Sequence, residues 1–459
     1  MLPPVEPFVQ VDALDAQAER AKDRDRKVRL ASLSAVIARV VAIAVGLVSV
    51  RLTLGYLGLE RYGLWMTINS ASLLLTFADF GMGNGLLTAI SHANGRNDRE
   101  EARRSVASVF YLLAGMALVV IGTSALAYPF VPWSRIFNVH SPLAATEAGP
   151  ASIAFVVCTA LCMPLGIVQR IQLGYQEGFQ ANLWQALASL IALGGLILMT
   201  ACKANLVYLV IAVSGAPVLG GLLNSIHEFS RSRPWLLPTP SCFSFRTCRT
   251  LGQTGIQFVL LQLATLLALN SDFFVLAHYL GPDDVAQYST AQRMFTLILV
   301  SQAILLGPLW PAYGEAFARK DHQWIRKTLV RSVTRGVTLA AALSMPLILF
   351  AGPILRIWTK QAIEVPIMTL CGFAAWTVLS GYGSALAMLM NGANQLKVQV
   401  VCAVLFGVCA FCAKILSVER WGNAGVVWAT VLAYSICVVV PVGIYVRRLL
   451  LASENTQLN

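Results

Sequence analysis

Long apolar stretches follow one another along almost the whole chain, parted by short clusters of charge, Gly and Pro. Stretches wide enough for a bilayer, which takes roughly 20 residues per helix, lie near 31–50, 62–91, 105–130, 150–172, 179–201, 204–226, 252–279, 285–314, 332–351, 365–390, 397–416 and 424–446. Pro129 and Pro132, then Pro234, Pro238 and Pro240, and Gly352 with Pro353 punctuate their borders. The expected fold class is an all-α polytopic membrane protein of about twelve transmembrane helices.

The pattern repeats. At an offset of 223 residues, YLGLERYGLW at 56–65 pairs with YLGPDDVAQY at 279–288, and the match runs ungapped to GRNDREEARR at 95–104 over ARKDHQWIRK at 318–327. Eleven of the 49 positions 56–104 are identical, among them Arg96 over Arg319, Asp98 over Asp321 and Arg103 over Arg326. An even number of spans separates the copies. Two six-helix lobes should therefore point the same way, related by a pseudo-two-fold axis along the membrane normal, with a cavity between them and rocking as the natural motion. The expected domains are an N-terminal tail 1–30, an N-lobe 31–226, a linker 227–251, a C-lobe 252–446 and a C-terminal tail 447–459.

Composition removes the alternatives. Hydrophobic residues make up 57% of the 459 positions and charged ones 12%, against about 45–50% and 25% in soluble domains, so no room is left for a soluble catalytic domain. The net charge of +12 reads as topology rather than nucleic-acid binding, because Lys and Arg gather on alternate connections. One side collects 23 of the 34, including Arg20 to Arg29, Arg96 to Arg104, Arg231 to Arg249 and Arg319 to Arg331; the other holds eight, including Arg61, Lys360 and Lys414. Arg39, Arg293 and Arg335 lie within spans. Both termini are expected in the cytoplasm. The polar, charged residues 1–30 do not resemble a cleavable signal and are expected as a solvated tail or short surface helix. Most of the ten cysteines sit in apolar runs as small hydrophobes; Cys242 and Cys248, in a polar loop without zinc-site spacing, read as free thiols.

An ionised side chain at bilayer depth costs at least about 2.5–3.5 kcal/mol and normally faces a bundle interior or water. Arg39, Asn69, Asp79, Asn270, Asp272, Gln292 and Arg293 meet that description, and the repeat lays Arg39 over Gln262, Asn69 over Gln292 and Asp79 over Gln302. Polar positions falling on polar positions suit two bundles sharing one hydrophilic cavity, lined by Arg39, Asn69, Asp79, Gln262, Asn270, Asp272, Gln292 and Arg293. Against this, Arg39 could extend its stem to the surface, and Asp79 could serve a neighbouring helix. Gly81, Gly83 and Gly85 follow Asp79 and predict close packing or bending. Arg170 and Glu177, with Asn182, mark the junction of the fourth and fifth spans, as solvated loop residues or as a gate.

LGLERYGLW, FADFGMGNGLLTAISHANGRNDREEARR and DFFVLAHYLGPDDVAQYSTAQRM resemble the polysaccharide-flippase branch of the multidrug/oligosaccharidyl-lipid/polysaccharide transporter superfamily. The resemblance is carried best by Asp79, Gly81, Arg96, Asp98 and Arg103, while 231–249 departs from the pattern. It implies two lobes and export of lipid-linked saccharide units, as in Wzx-type O-antigen and exopolysaccharide flippases of the bacterial inner membrane. The implied partners are the lipid-linked glycan, membrane lipids and a polysaccharide polymerase or export complex.

No Walker A string is present, which leaves facilitated transport or coupling to H+, Na+ or the membrane potential, with no cofactor, metal or catalytic residue expected. Arg39 and Arg293 would meet the diphosphate, and Asp79 or Asp272 would protonate or ion-pair as the lobes exchange. The competing transporter reading is an ion-coupled drug or metabolite antiporter, for which an acidic cavity would suit better. A membrane glycosyltransferase or polymerase would need a large extracytoplasmic loop with acid, base or metal-binding groups, and 131–149 holds one Arg, one His and one Glu.

Overall fold

The computed structural model describes residues 7–70, 79–359 and 365–458, with side chains described for 19–70, 79–357 and 365–451. Lys360, Pro3, Pro4 and residues 71–78 of the second expected span lie outside the described residues. In a bilayer each backbone N–H and C=O must find its partner within the protein, and helices satisfy that locally. The helices are α1 (Pro7–Ser70), α2 (Met82–Arg96), α3 (Arg99–Ala127), α4 (Trp133–Ile136), α5 (Pro142–Leu165), α6 (Ile167–Gly174), α7 (Gly178–Ala201) and α8 (Leu206–His227). After them come α9 (Phe245–Tyr279), α10 (Pro282–Leu306), α11 (Leu309–Ala318), α12 (His322–Leu349), α13 (Ala351–Thr359), α14 (Ile367–Gly392), α15 (Leu396–Tyr434) and α16 (Val440–Leu458).

Ten stretches among the described residues are long and apolar enough to cross a membrane. The two longest, Glu19–Ser70 and Leu396–Leu451, each contain a glycine outside helical geometry, Gly58 (φ 75°, ψ 174°) and Gly422 (φ 54°, ψ −140°). At Gly422 the chain turns back: Ser417 Oγ donates to the Gly425 carbonyl at 3.0 Å, whereas residues eight apart on a straight helix stand about 12 Å apart. The arms flanking Gly58 likewise double back, because Ala42 and Asn69 border one hollow and would lie about 40 Å apart on a straight helix. Counted separately, both arms of Leu396–Leu451 are long enough to cross, which makes eleven among the described residues, whereas residues 59–70 after Gly58 make about 18 Å of helix, short of a bilayer. The expected boundary at residue 30 is not a break. No Gly or Pro occurs between Phe8 and Val45, so the helix runs from Pro7 straight into the first span, with Lys27 paired to Asp23 at 3.0 Å on its charged part.

The chain forms two compact units, Met1–Gly255 and Ile256–Asn459. In the first, α7 packs along α1 and α8, α5 along α8 and α3, and α2 along α3 and α6. Leu86, Ile90, Val106, Val109, Ile171 and Leu236 fill one core, and Leu64, Trp65, Ala144, Ala148, Leu206 and Leu209 another. In the second, α14 packs against α10, α12 and α15. Tyr288, Phe295 and Phe373 centre its core, Phe373 lying 5.0 Å from Tyr288 and 5.7 Å from Phe295, ring centre to ring centre.

The repeat is visible as local geometry. Asn97 and Lys320 both adopt the left-handed conformation, at φ 56° and 57°. Asp98 then caps α3 by accepting from Glu101 N at 2.9 Å, and Asp321 caps α12 by accepting from Trp324 N at 3.2 Å. Their own N–H groups donate back to the Ala93 and Ala316 carbonyls, both at 2.9 Å. Gly58 and Gly281, at φ 75° and 98°, are a second such pair.

Candidate functional site

Within the first unit, α1, α5, α6, α7 and α8 enclose a hollow of about 670 Å³, within the roughly 300–1,000 Å³ of small-molecule sites. Small residues shape it. Gly220 approaches Ala188 and Gly221 approaches Leu165 so closely that an added Cβ would lie 2.9 Å and 3.0 Å from their side chains, which draws the helices together at one edge. The wall carries Ser49, Thr53, Asn69, Gln169, Gln185, Ser189 and Asn224 beside Tyr62, Trp65 and Trp184. Among the described residues no Asp, Glu, Lys or Arg lines it. Amides, hydroxyls and aromatic faces without net charge suit a neutral, polyhydroxylated guest better than an ion.

Asn69 is thus placed on a cavity wall. Arg39 is exposed on α1 and does not border the hollow. Asp79 accepts from the N–H groups of Gly81 at 2.9 Å and Gly83 at 3.2 Å. A Cβ on Gly83 would stand 3.0 Å from both the Asp79 Oδ2 and the Arg170 Nε, so the carboxylate and the guanidinium face each other across a glycine. Arg170, expected in the junction between spans, lies in α6 instead; Tyr175 to Glu177 form the turn before α7. The expected close packing of the glycines is real. Gly81 takes φ 70°, and its missing Cβ would meet the Gly255 carbonyl oxygen at 2.3 Å, while that of Gly85 would meet the Leu251 carbonyl at 2.9 Å.

Glu177 belongs to a polar knot at the same end of the unit. Arg233 reaches both Glu177 and Glu228 at 2.5 Å and stacks over Tyr175, 4.1 Å from the ring centre. Gln172 donates to Asn224 at 2.7 Å and to Glu228 at 3.2 Å. Burial pushes the Tyr175 hydroxyl up to about 12, partly opposed by the Arg233 charge. Burial works against the Arg233 charge, but the bonds and fields of Glu177 and Glu228 outweigh it and hold its pKa above the ordinary value.

In the second unit Gln262, Asn270 and Arg293 are exposed and Gln292 is half-buried, with the Asn270 amide donating to the Leu266 carbonyl at 2.9 Å. Asp272 does not face open space; it is 2% exposed. Its carboxylate pairs with Lys414 Nζ at 2.5 Å and accepts from the Tyr288 hydroxyl at 2.5 Å. The Lys414 ammonium also donates to Ser271 Oγ at 3.2 Å and to the Ala268 carbonyl. Lys414, counted from sequence with the connections, is fully buried among α9, α10 and α15 and leaves that tally at seven. The signal that could have found it was its place inside an apolar run, VCAVLFGVCAFCAKIL at 401–416, with an unpartnered Asp in another span. All ten cysteines are free.

Residues 29–317 match the model of a family described as polysaccharide biosynthesis protein. A putative O-antigen transporter of Salmonella typhimurium is 21% identical over 88% of this chain and 92% of its own length. A putative O-antigen export protein of Yersinia pseudotuberculosis is 22% identical over 78% and 82%. Among solved structures, an outward-facing multidrug-resistance MATE family transporter of the MOP superfamily superposes with a TM-score of 0.78 at 16% identity, covering 94% of this chain and 96% of the other. At that identity the likeness is one of fold.

Proposed function

The chain belongs to the polysaccharide biosynthesis protein family, and from that premise we propose that it is a flippase carrying a saccharide linked to a polyprenyl diphosphate across the cytoplasmic membrane by alternating access. The observation that carries this reading is its similarity, over most of both chains, to proteins named for O-antigen transport and export. The uncharged hollow of the first unit supports it. In this scheme Trp65, Trp184, Asn69 and Gln169 hold the glycan, aromatic faces against sugar rings and amides against hydroxyls. Arg39 and Arg293, exposed on their own units, meet the diphosphate, whose two negative charges an inside-negative potential drives outward by about 2.3 kcal/mol per charge per 100 mV.

The carboxylates take different parts. Asp272 already has Lys414 and Tyr288 as partners, so we assign any coupling ion or proton to Asp79, whose neighbour Arg170 would report its charge state. Arg170 and Glu177 serve as a gate, the Glu177–Arg233 ion pair tying the α6–α7 turn to the segment after α8. The excess of Lys and Arg on one set of connections supports cytoplasmic termini in a bacterial inner membrane, with a polymerase or export complex receiving the product. Cells depending on this chain for surface polysaccharide test the cavity. Trp65→Ala with Trp184→Ala is expected to cut export at least tenfold at unchanged protein level, and undiminished export would remove the hollow from the pathway.

A further inference from the structure

A second hollow lies outside the proposed pathway cavity. It has about 330 Å³ and is bordered by Arg99, Glu100 and Arg103 of α3 and by Pro234, Trp235, Leu237 and Thr239 of the segment after α8. That segment is part of the stretch 231–249, which departs from the pattern of the resemblance read in the sequence. It is held firmly. Arg233 is bound to Glu177 and Glu228 on its near side, Leu236 is completely buried, and the Tyr111 hydroxyl donates to the Pro238 carbonyl at 3.2 Å. The Ser244 N–H donates to Ser108 Oγ at 3.1 Å. The segment is therefore a fixed wall laid against the first turn of α3.

The inside of that wall is short of negative charge. The Arg99 guanidinium lies over the Trp235 ring, 5.4 Å from its centre. Arg103 reaches Thr239 Oγ1 only at 3.4 Å, and its Nε is buried with no acceptor. A buried guanidinium N–H without a partner is costly to leave so. Glu100, the one acid at the rim, is shared with Arg104 at 3.4 Å, which leaves Arg99 and Arg103 in excess. Asp98 caps the helix itself. Two arginines bordering a space of small-molecule size, with an aromatic ring beside them, supply the donors that recognise phosphate oxygens.

From this hollow we infer that the first unit carries a phosphoryl-binding site, separate from the uncharged cavity, in which Arg103 and Arg99 hold the phosphate oxygens and Trp235 covers the group attached to them. The site takes a phosphoryl headgroup, whether on a lipid or on a soluble diphosphate. The inference does not depend on what the protein exports.

The test uses the full chain in phosphatidylcholine nanodiscs. One arm titrates inorganic pyrophosphate, and the other replaces a tenth of the lipid with phosphatidic acid. The readouts are calorimetric affinity in the first arm and amide hydrogen exchange of 98–104 and 234–239 in both. Pyrophosphate binding that protects both segments and weakens at least tenfold in R99Q/R103Q supports a soluble source. Protection only with phosphatidic acid, lost in the same variant, supports a lipid headgroup. Unchanged exchange with both probes, or binding equal in wild type and R99Q/R103Q, overturns the site. Arg249→Gln, exposed and outside the hollow, controls for a general loss of positive charge and is expected to keep the binding.

Discussion

Removing either partner of the Asp272–Lys414 pair leaves the other charge buried without its counter-ion, an arrangement that costs about 3–5 kcal/mol. Asp272→Asn and Lys414→Met are each expected to lower the unfolding midpoint of the detergent-solubilised protein sharply. The two together should recover most of the loss, because a neutral pair needs no mutual compensation. Single variants as stable as the wild type would contradict the pairing. Tyr175 gives a prediction in pH. Its hydroxyl titrates near 12 in the folded chain and near 10 when unfolded, so the folded state prefers the neutral form. That contribution, roughly 2–3 kcal/mol, is complete below pH 10 and disappears as pH climbs from 10 to 12. Tyr175→Phe should flatten stability over that window, as alkaline denaturation curves would reveal. Of these residues Asp272 was legible in the sequence as an acid too deep to stand alone. Lys414 was not, since a lysine near a span end looks the same whether it reaches for water or folds inward, and only the packing of α9 against α15 decides.

The glycines after Asp79 act at the scale of elements, letting the start of α2 lie backbone to backbone on α9. Gly81→Ala would add about 1–2 kcal/mol of left-handed backbone strain and about 1–3 kcal/mol of overpacking against the Gly255 carbonyl. A lower melting temperature is expected, with raised hydrogen exchange in α2. Gly252→Ala, in the same region but with nothing within 4 Å of its Cβ, should be neutral or slightly stabilising; equal effects would remove close approach as the reason for Gly81. The apolar spans were legible because hydropathy and helix length measure the same thickness. Where helices break was less so. Arg170 fell into a junction on paper because Pro164, Gly166 and Gly174 crowd around it, yet α6 continues through Gly174 and brings the guanidinium to Asp79. The helix running unbroken from Pro7 into the first span was hidden by its charges, which describe solvent exposure and not backbone conformation.

For the whole molecule the repeat was the most informative sequence signal. It recovered equivalent caps at Asp98 and Asp321 and equivalent turns at Gly58 and Gly281. The interiors of the two units nevertheless differ: the first encloses a hollow that no described charged residue lines, while the second buries Asp272, Lys414 and Tyr288. The offset places Ser49 and Trp65 of the hollow over Asp272 and Tyr288. The same framework positions thus hold open space in one unit and a closed ion pair in the other, a divergence that identities at the helix ends do not report. The proposed division of roles follows: the glycan is held in the first unit, while Asp272 and Lys414 stay paired inside the second. Its central claim is translocation of a lipid-linked saccharide, and headgroup accessibility in proteoliposomes measures that directly. With a polyprenyl diphosphate saccharide in one leaflet, the wild-type chain is expected to expose the sugar at the opposite face, faster under a potential that drives negative charge across, and Trp65→Ala with Trp184→Ala is expected to slow it at least tenfold. Exposure no faster than in protein-free vesicles, with or without the potential, would contradict the account.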